Sequence, residues 1–455
     1  MYQPIRVQRN LATRLTGFSK LFKIMKIGFI CPNIPGHLNP MTALARHLQA
    51  RNHEVVFLYA PSANGLPCVP GDKRDDMNAN RPEMSKLEGE SAVAFYCSVA
   101  AKETEAIFKS LPRMLEKTGV EALVLDPIQF FVELAAMKAR IPYITVATAL
   151  YIDYSGYTPA SIFDWPHEAT LEALVRNLEG ITKATRLCYN EGTKAYAKEA
   201  GLKTDLDHPS WVFSELAYIT QVPKEFDFEN PLLPPQFHHT GPFHDGKGRP
   251  KVEFPWDRLT GEPLIYASMG TLMNGRVDVF RTIVDGVARH KDTQLVLSIG
   301  DQLDPKQIGP VPGNAIIVNQ APQLEVLKRA SICVTHAGLN TVLESLAQGV
   351  PQVAVPITFD QPGVATRIAA KKTGVTVPFA ELTSDRLSTL LGEVLNNDVY
   401  RENARKFQEV IAKTNGLSMA ADLVEQSLGV TKKSGKSGRG KSQESFSRQE
   451  FSTCV

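Results

Sequence analysis

Short apolar runs alternate with amphipathic stretches along the chain, and this alternation predicts parallel strands separated by helices. The runs at residues 26–30, 54–59 and 121–125 have the length and composition of buried strands. Apolar positions at helical spacing follow the first run, over residues 41–51. The order strand, helix, strand predicts a βαβ unit with a right-handed crossover at the start of the fold.

The same alternation resumes beyond a segment rich in Pro and Gly, with predicted strands at residues 264–268, 294–298 and 315–318. We therefore predict an α/β protein with two Rossmann-like, doubly wound parallel-sheet domains that face each other across a cleft. The predicted units are an N-terminal extension (1–24), a first domain (25–240), a linker (241–262), a second domain (263–428) and a tail (429–455).

One stretch of the second domain, residues 331–361, places polar residues at successive strand ends. A short apolar strand at 331–334 is followed by a helix predicted from 340 to 348 and by another strand at 353–356. In an open α/β sheet, ligands bind outside the carboxyl ends of strands, and a helix N-terminus suits a phosphate. Such an array fits a sugar nucleotide. Its polar members are His336, Asn340, Thr341, Glu344, Asp360 and Gln361.

Residues 321–361 closely resemble the donor-binding signature of family 1 glycosyltransferases, which have the GT-B fold. The resemblance extends from about residue 25 to residue 428. The sequences IYASMGT at 265–271 and PITFDQP at 356–362 look most like the bacterial branch that holds zeaxanthin and macrolide glucosyltransferases.

The resemblance implies a donor site. In it, Gln323 would contact the base, Glu344 the ribose, His336 the distal phosphate, Asn340 and Thr341 the proximal phosphate, and Asp360 and Gln361 the sugar. The turn that holds Ser268, Gly270 and Thr271 would approach the phosphates from across the cleft, and Ala321 and Gly338 belong to the same signature. At the position just before the Ala-Pro-Gln sequence, many family members carry a Trp that stacks on uracil. This chain has Gln320 there, which leaves the donor base open.

Two polar residues of the first half follow predicted strands. His37 lies in the GHLNP sequence, which we predict to be a loop after the first strand, and Asp126 ends the strand at 121–125. By themselves, a loop histidine is usually a surface residue, and Asp126 suits the N-cap of a helix beginning near residue 128. The resemblance implies instead that His37 is the catalytic base and that Asp126 orients it.

Aromatic residues are dense between residues 143 and 165, and they include Tyr151, Tyr154, Phe163 and Trp165. Such clusters serve packing as often as binding. Similar enzymes build the acceptor pocket from this region, so the resemblance implies that these four side chains line it.

Taken together, the resemblance implies an inverting enzyme that moves a hexose from UDP-glucose to a hydroxyl of an apolar acceptor such as a carotenoid, polyketide or phenolic. The UDP-sugar is a co-substrate, and we expect no cofactor and no metal, because no Asp-x-Asp motif stands at a matching position. Two alternatives remain: a sugar-nucleotide epimerase of the same fold, and a protein that binds a nucleotide sugar or apolar ligand without turnover.

Charge is uneven along the chain. Residues 1–24 carry five basic and no acidic side chains, and residues 430–455 carry six basic and two acidic ones, so the body has a net charge of −7. A body this acidic gives no support to nucleic-acid binding. We expect residues 1–24 to be translation from an upstream start or a disordered extension, and residues 429–455 to be a disordered basic tail. A peripheral membrane contact through the basic termini is the alternative.

Three further predictions concern the whole chain. No run is long and apolar enough for a membrane span, and the six scattered Cys have no paired or metal-like spacing. We therefore expect unpaired thiols in a cytoplasmic monomer or weak dimer. The Walker A pattern at residues 435–442 lacks a preceding strand, so we expect it to be inert.

Overall fold

Two all-parallel sheets form the core of the computed structural model, which describes residues 23–71, 79–189, 191–202, 212–249 and 251–430. The first sheet has seven strands and the second has six. The strands are β1 (Lys26–Ile30), β2 (Glu54–Leu58), β3 (Cys68–Val69), β4 (Ala122–Leu125), β5 (Tyr143–Ala147), β6 (Tyr218–Thr220), β7 (Phe237–His239), β8 (Leu264–Ser268), β9 (Gln294–Ser298), β10 (Ala315–Val318), β11 (Ala330–Thr335), β12 (Gln352–Ala354) and β13 (Gly374–Thr376).

The strand order reverses once in each sheet, and the two reversals position the site. The first sheet runs β3-β2-β1-β4-β5-β6-β7, and the second runs β10-β9-β8-β11-β12-β13. Every pairing is parallel, for example Phe29 with Val124 and Val334 with Ala267. The chain therefore leaves in opposite directions from β1 and β4, and again from β8 and β11. Ligands of doubly wound sheets bind at such a switch point.

Helices connect and cover the strands. They are α1 (Pro35–Gln49), α2 (Arg81–Met84), α3 (Gly89–Thr118), α4 (Glu133–Ala139), α5 (Leu171–Cys188), α6 (Glu191–Glu199), α7 (Val277–Val287), α8 (Gln323–Leu327), α9 (Leu339–Leu346), α10 (Gln361–Ala370), α11 (Ser384–Asn396), α12 (Asp398–Lys413) and α13 (Gly416–Ser427). Both faces of the central strands are buried, as the continuous apolar runs predict: Ala122 to Leu125 of β4 are fully inaccessible.

The last helix packs on the first domain. α13 lies against α1 and shares its hydrophobic core with β1 and β2. Arg51 bonds to Asp422 and Glu425, and Glu425 also lies 3.2 Å from His53. Val430, which the sequence assigns to the tail, is buried in the same core. The fold therefore extends at least to this residue.

Several local predictions differ from the structure. α1 begins at Pro35, so the GHLNP sequence lies in its first two turns and not in a loop. The segment after Asp126 forms turns, and the helix predicted near residue 128 begins only at Glu133.

The cysteine prediction was wrong for one pair. Cys97 of α3 and Cys188 of α5 are joined in a disulfide across 91 residues of sequence. A pair so distant leaves no local spacing signal, and only the packing of α3 on α5 brings it together. Cys31, Cys68 and Cys333 are unpaired.

The termini and the Walker A pattern at residues 435–442 lie outside the described residues. Within the part of the chain that the structure describes, no helix has both the length and the apolar character needed to cross a membrane.

Candidate active site

The switch point of the first sheet brings three polar side chains together. Nδ1 of His37 lies 2.9 Å from Oδ2 of Asp126 and 2.8 Å from Oγ1 of Thr148. The Thr148 hydroxyl donates to the same carboxylate oxygen. Because an ionised carboxylate only accepts, Nδ1 of the neutral ring carries its proton, and Nε2 keeps a lone pair. His37 lines the cleft, whereas Asp126 is fully buried.

Local backbone geometry holds this arrangement. Pro35 is the first residue of α1, where its missing N–H costs no hydrogen bond, and His37 therefore falls in the first helical turn. Oδ1 of Asp126 accepts the backbone N–H of Ile128 at 3.0 Å. This turn fixes the carboxylate, so that its second oxygen points to the imidazole.

The pKa of His37 is raised above its ordinary value. Burial lowers it, but the charge of Asp126, its hydrogen bond and the charge of Asp360 together outweigh burial. The protonated ring is therefore favoured here more than in water. That is the electrostatic condition for a group that must accept a proton and hold it.

The switch point of the second sheet holds a second histidine, His336, between two glycines. A Cβ built on Gly270 or on Gly338 would come within 2.5 Å of ring atom Nε2. Gly270 also has φ of 71°, which residues with side chains rarely adopt. Both predicted glycine positions therefore make room for the imidazole at the carboxyl ends of β8 and β11.

Electrostatics at this second histidine are the reverse of those at His37. Burial lowers the pKa of His336 to about 4, and a backbone hydrogen bond with Ser268 opposes only part of the effect. The ring is therefore neutral near pH 7. Its Nδ1 is buried without a hydrogen-bond partner among the described residues, and the ring lines the cleft. A buried polar atom without a partner costs about 1–3 kcal/mol, which indicates a ligand contact.

The start of α9 faces the same cleft and contacts the first domain. Nδ2 of Asn340 donates to the carbonyl of Gly36 at 2.7 Å, and its Oδ1 accepts from Gln221 at 2.9 Å. Thr341 is 9% exposed, and its hydroxyl accepts a bond from Gln323 at 3.4 Å. The first turn of α9 therefore presents both side chains, and its unpaired N–H groups, to the cavity.

One turn along α9, Glu344 is 2% exposed and carries several bonds. Its Oε2 accepts from Gln323 at 2.7 Å, and Oε1 accepts from Arg249. Oε1 of Gln323 in turn accepts from the Tyr266 hydroxyl at 2.8 Å. The two residues predicted to contact base and ribose thus form one network at the edge of the second sheet.

The remaining predicted donor residues lie around this network. Asp360 accepts the backbone N–H of Leu150 at 2.9 Å, and burial raises its pKa. Oε1 of Gln361 accepts from the N–H groups of Ile357 and Thr358. Asp360 and Gln361 line the cavity together with Gly270 and Thr271. Ser268 is buried at the end of β8. Gln320 and Ala321 precede α8, and Gln320 is exposed.

A largely apolar cavity of about 260 Å³ joins the two switch points. Of the four predicted acceptor residues, Tyr151 and Tyr154 line it. Phe163 and Trp165 do not: their rings stack 4.2 Å apart and lie against Gly180 of α5. This pair therefore packs helix α5. The cavity side instead includes Ile34, Val93, Phe130, Ile162 and Ile181.

Two residues of the site were not predicted. Thr148 directly follows β5, and its position at a strand end was an available signal. Arg249 lies in the Gly-rich linker, where nothing in the sequence distinguishes it from its neighbours. Within the described ranges, no group of three or more His, Cys, Asp and Glu side chains is arranged to hold a metal ion.

The two facing domains, with polar switch points on either side of one cleft, have the GT-B fold that solved glycosyltransferases share. Residues 83–413 match the family model described as UDP-glucoronosyl and UDP-glucosyl transferase, and the chain belongs to this family. The resemblance stated from the sequence is thus confirmed. The chain is therefore an enzyme of the UDP-glycosyltransferase class.

Individual proteins agree with this assignment. The chain is 26% identical to a zeaxanthin glucosyltransferase of Pantoea ananas over 430 residues, which covers 87% of this chain and 94% of that protein. It is 25% identical to the demethyllactenocin mycarosyltransferase of Streptomyces fradiae, over 89% and 86% of the two chains. The crystal structure of the calicheamicin glycosyltransferase CalG4 shares the fold with a TM-score of 0.66, at 22% identity over 90% and 99%.

Proposed function

We propose that the protein transfers glucose from UDP-glucose to a hydroxyl group of an apolar small molecule, with inversion at the anomeric carbon. The observation that carries the proposal is the pairing of His37 with Asp126 on one side of a cavity whose other side holds His336 and the start of α9. A base and an anion-binding helix start facing one cavity are the two parts that such a displacement needs.

In the proposed reaction, the acceptor oxygen bonds to the anomeric carbon as the bond from that carbon to the diphosphate oxygen breaks. Nε2 of His37 takes the hydroxyl proton, and Asp126 stabilises the imidazolium that forms. The electron pair of the broken bond leaves with the diphosphate. Backbone N–H groups of α9 and the neutral ring of His336 stabilise that charge. An α-linked donor then gives a β-glycoside.

The donor assignment rests on the network of α9. Glu344 offers a buried carboxylate for the ribose diol, and Asp360 and Gln361 stand at the cleft where the sugar would lie. Glucose and uracil are the finer part of the proposal. The Gln320 side chain is exposed and offers no stacking ring, so the base is held through Gln323 and neighbouring backbone.

The acceptor assignment rests on the cavity. Its lining is mainly apolar, with Tyr151 and Tyr154 near the His37 side. A volume of about 260 Å³ accommodates a ring system or the end of a longer molecule. We therefore propose a hydroxylated apolar acceptor such as a carotenoid end group, a polyketide or a phenolic compound.

The test is to incubate the protein with UDP-glucose and a panel of hydroxylated apolar compounds and to measure a mass gain of one hexose. TDP-glucose and GDP-glucose compete in parallel reactions to identify the base. The control is a His37→Ala sample that still binds UDP. Binding of nucleotide sugar without transfer to any acceptor, in wild-type protein, would contradict the proposal.

A further inference from the structure

Arg249 binds the carboxylate on which the proposed donor site depends. Its Nη1 lies 3.3 Å from Oε2 of Glu344, and its Nη2 bonds to Oε1. The arginine side chain is 28% exposed and the glutamate side chain 2%. A two-point bond to a buried carboxylate holds the guanidinium in one orientation at the rim of the cleft.

The linker is folded to deliver this side chain. Gly246 and Gly248 both have φ of 71°. A Cβ on Gly248 would come 1.9 Å from the guanidinium of Arg46, which also donates to the carbonyl of Lys247 at 3.4 Å. Since Arg46 belongs to α1, the linker is held against the first domain while Arg249 reaches into the second.

A bound nucleotide would compete with Arg249. A ribose diol needs both oxygens of Glu344, and Arg249 contacts both of them. Arginine side chains carry a fixed positive charge. Arg249 therefore needs another anion once the diol takes Glu344. Asn340 and Thr341, the predicted contacts of the proximal phosphate, lie one helical turn, or about 5 Å of helix axis, before Glu344.

The predicted contacts of the diphosphate include no cation near pH 7. The predicted phosphate contacts are Ser268, Gly270, Thr271, Asn340 and Thr341, none of which carries charge, and His336. With its pKa at about 4, His336 is neutral near pH 7. A diphosphate leaving group gathers negative charge, and Arg249, bonded to Glu344 one helical turn further along α9, offers a matching positive charge.

We propose that Arg249 is a donor-binding residue that exchanges partners, pairing with Glu344 in the arrangement of this structure and with the donor diphosphate once the ribose takes Glu344. The inference rests on the proposed function, because it takes Glu344 as the ribose contact. It adds a cation from the linker to a site otherwise built from the second domain.

The experiment compares the affinities of uridine and UDP by calorimetry for wild-type protein and Arg249→Met. Uridine has the diol without the diphosphate, so its affinity should stay the same or rise when the competitor for Glu344 is removed. UDP affinity should fall about tenfold to a hundredfold, the usual effect of losing a charge-assisted contact. Lys251→Met, which removes an exposed cation of the same linker, should change neither.

Two further variants protect the test against a folding defect. Arg249→Lys keeps the charge and should restore much of the UDP affinity. The double variant Arg249→Met with Glu344→Gln leaves no unpaired buried carboxylate. Its preference for UDP over uridine should still be smaller than that of the wild-type protein. Equal changes for both ligands in Arg249→Met, or tighter UDP binding, would overturn the exchange of partners.

The proposed function is tested separately by Glu344→Gln alone. If Glu344 holds the ribose, this variant weakens uridine and UDP alike. Unchanged uridine binding in Glu344→Gln would remove the ribose contact, whatever Arg249 does. If Glu344→Gln weakens nucleotide binding and Arg249→Met does not change it, the proposed function is retained and the inference about Arg249 is wrong.

Discussion

The two switch points use the same residue type in opposite electrostatic environments. His37 and His336 both stand just beyond carboxyl ends of central strands, and both line one cavity. Asp126 raises the pKa of His37 despite burial, whereas His336 is buried between glycines and its pKa falls to about 4. The topology places a histidine at each reversal, and the neighbouring residues decide whether it handles a proton.

This difference suits two tasks in one displacement. A base must gain a positive charge during the reaction, so a buried carboxylate beside it lowers the barrier. A residue that supports a leaving group needs only a directed N–H, and a neutral ring does not alter its own charge as the reaction proceeds. The following variants test whether the two histidines divide the chemistry in this way.

The largest effect is expected for His37→Ala. Turnover should fall by a factor of about 10²–10⁴, the usual contribution of a positioned base. The dissociation constant of UDP should stay within about twofold, because no predicted donor contact is lost. His47→Ala, on the same helix α1, is the matched control. Near-normal turnover of folded His37→Ala would show that His37 is not the catalytic base.

The next effect is expected for His336→Ala, with a loss of about 10²–10³ in turnover, as for removal of one donor from an anion site. Its pH profile should keep the position of the wild-type acid limb. The reason is the pKa of about 4, which leaves the ring neutral above pH 5 in wild type. A displaced limb in this variant would mean that His336 also exchanges protons during turnover.

A smaller loss, about tenfold to a hundredfold, is expected for Asp126→Asn, because a hydrogen bond to a charged group, worth about 1.5–3 kcal/mol, is weakened; a shift in pH dependence should accompany it. The base works when neutral, so activity falls as the pH drops through the pKa of His37, which lies above its ordinary value. Asn removes the negative charge that raises this pKa and leaves the burial that lowers it. The acid limb of kcat/KM should therefore move to lower pH. An unmoved limb would show that another group sets it.

Thr148→Val should lower turnover by up to about tenfold, because one hydrogen bond to the buried Asp126 carboxylate is lost. Thr148→Ser keeps the hydroxyl and should recover most of the activity. A role limited to packing would give the opposite order, since Val preserves the shape of Thr better than Ser does. Rates of both variants at saturating donor distinguish these outcomes.

Sequence patterns predicted the sheets well because buried parallel strands leave continuous apolar runs. Strands at 26–30, 294–298 and 315–318 agree with the structure residue by residue. What the patterns missed depends on contacts between distant segments. Thr148 matters only because β5 lies beside β4, and Arg249 only because two left-handed glycines fold the linker towards α9. The start of α1 had a local signal, Pro35 at the first helical position, which the predicted loop disregarded.

Phe163 and Trp165 show that aromatic residues close in sequence need not line the same pocket. Nearness in sequence to Tyr151 and Tyr154 placed all four in one predicted pocket. Gly180 of α5 instead leaves a space that their stacked rings fill, with Arg176 and Lys183 over the ring faces. Composition showed that the segment is aromatic, but not which rings face the cleft.

The smallest effect is expected from removing residues 431–455, which lie outside the described residues. This truncation and a slightly longer one test how much the end of α13 contributes to stability. Because Val430 is buried beside α13 and its N–H bonds to the carbonyl of Glu425 at 2.7 Å, a cut after Val430 should leave turnover and thermal stability unchanged. A cut after Leu428 removes this packing and should cost about 1–2 kcal/mol of unfolding free energy, with little change in turnover. Urea titration of both truncated proteins measures the difference. Equal stability would show that Val430 contributes nothing. If the full chain binds ATP and both truncated proteins do not, residues 435–442 have a nucleotide-binding function.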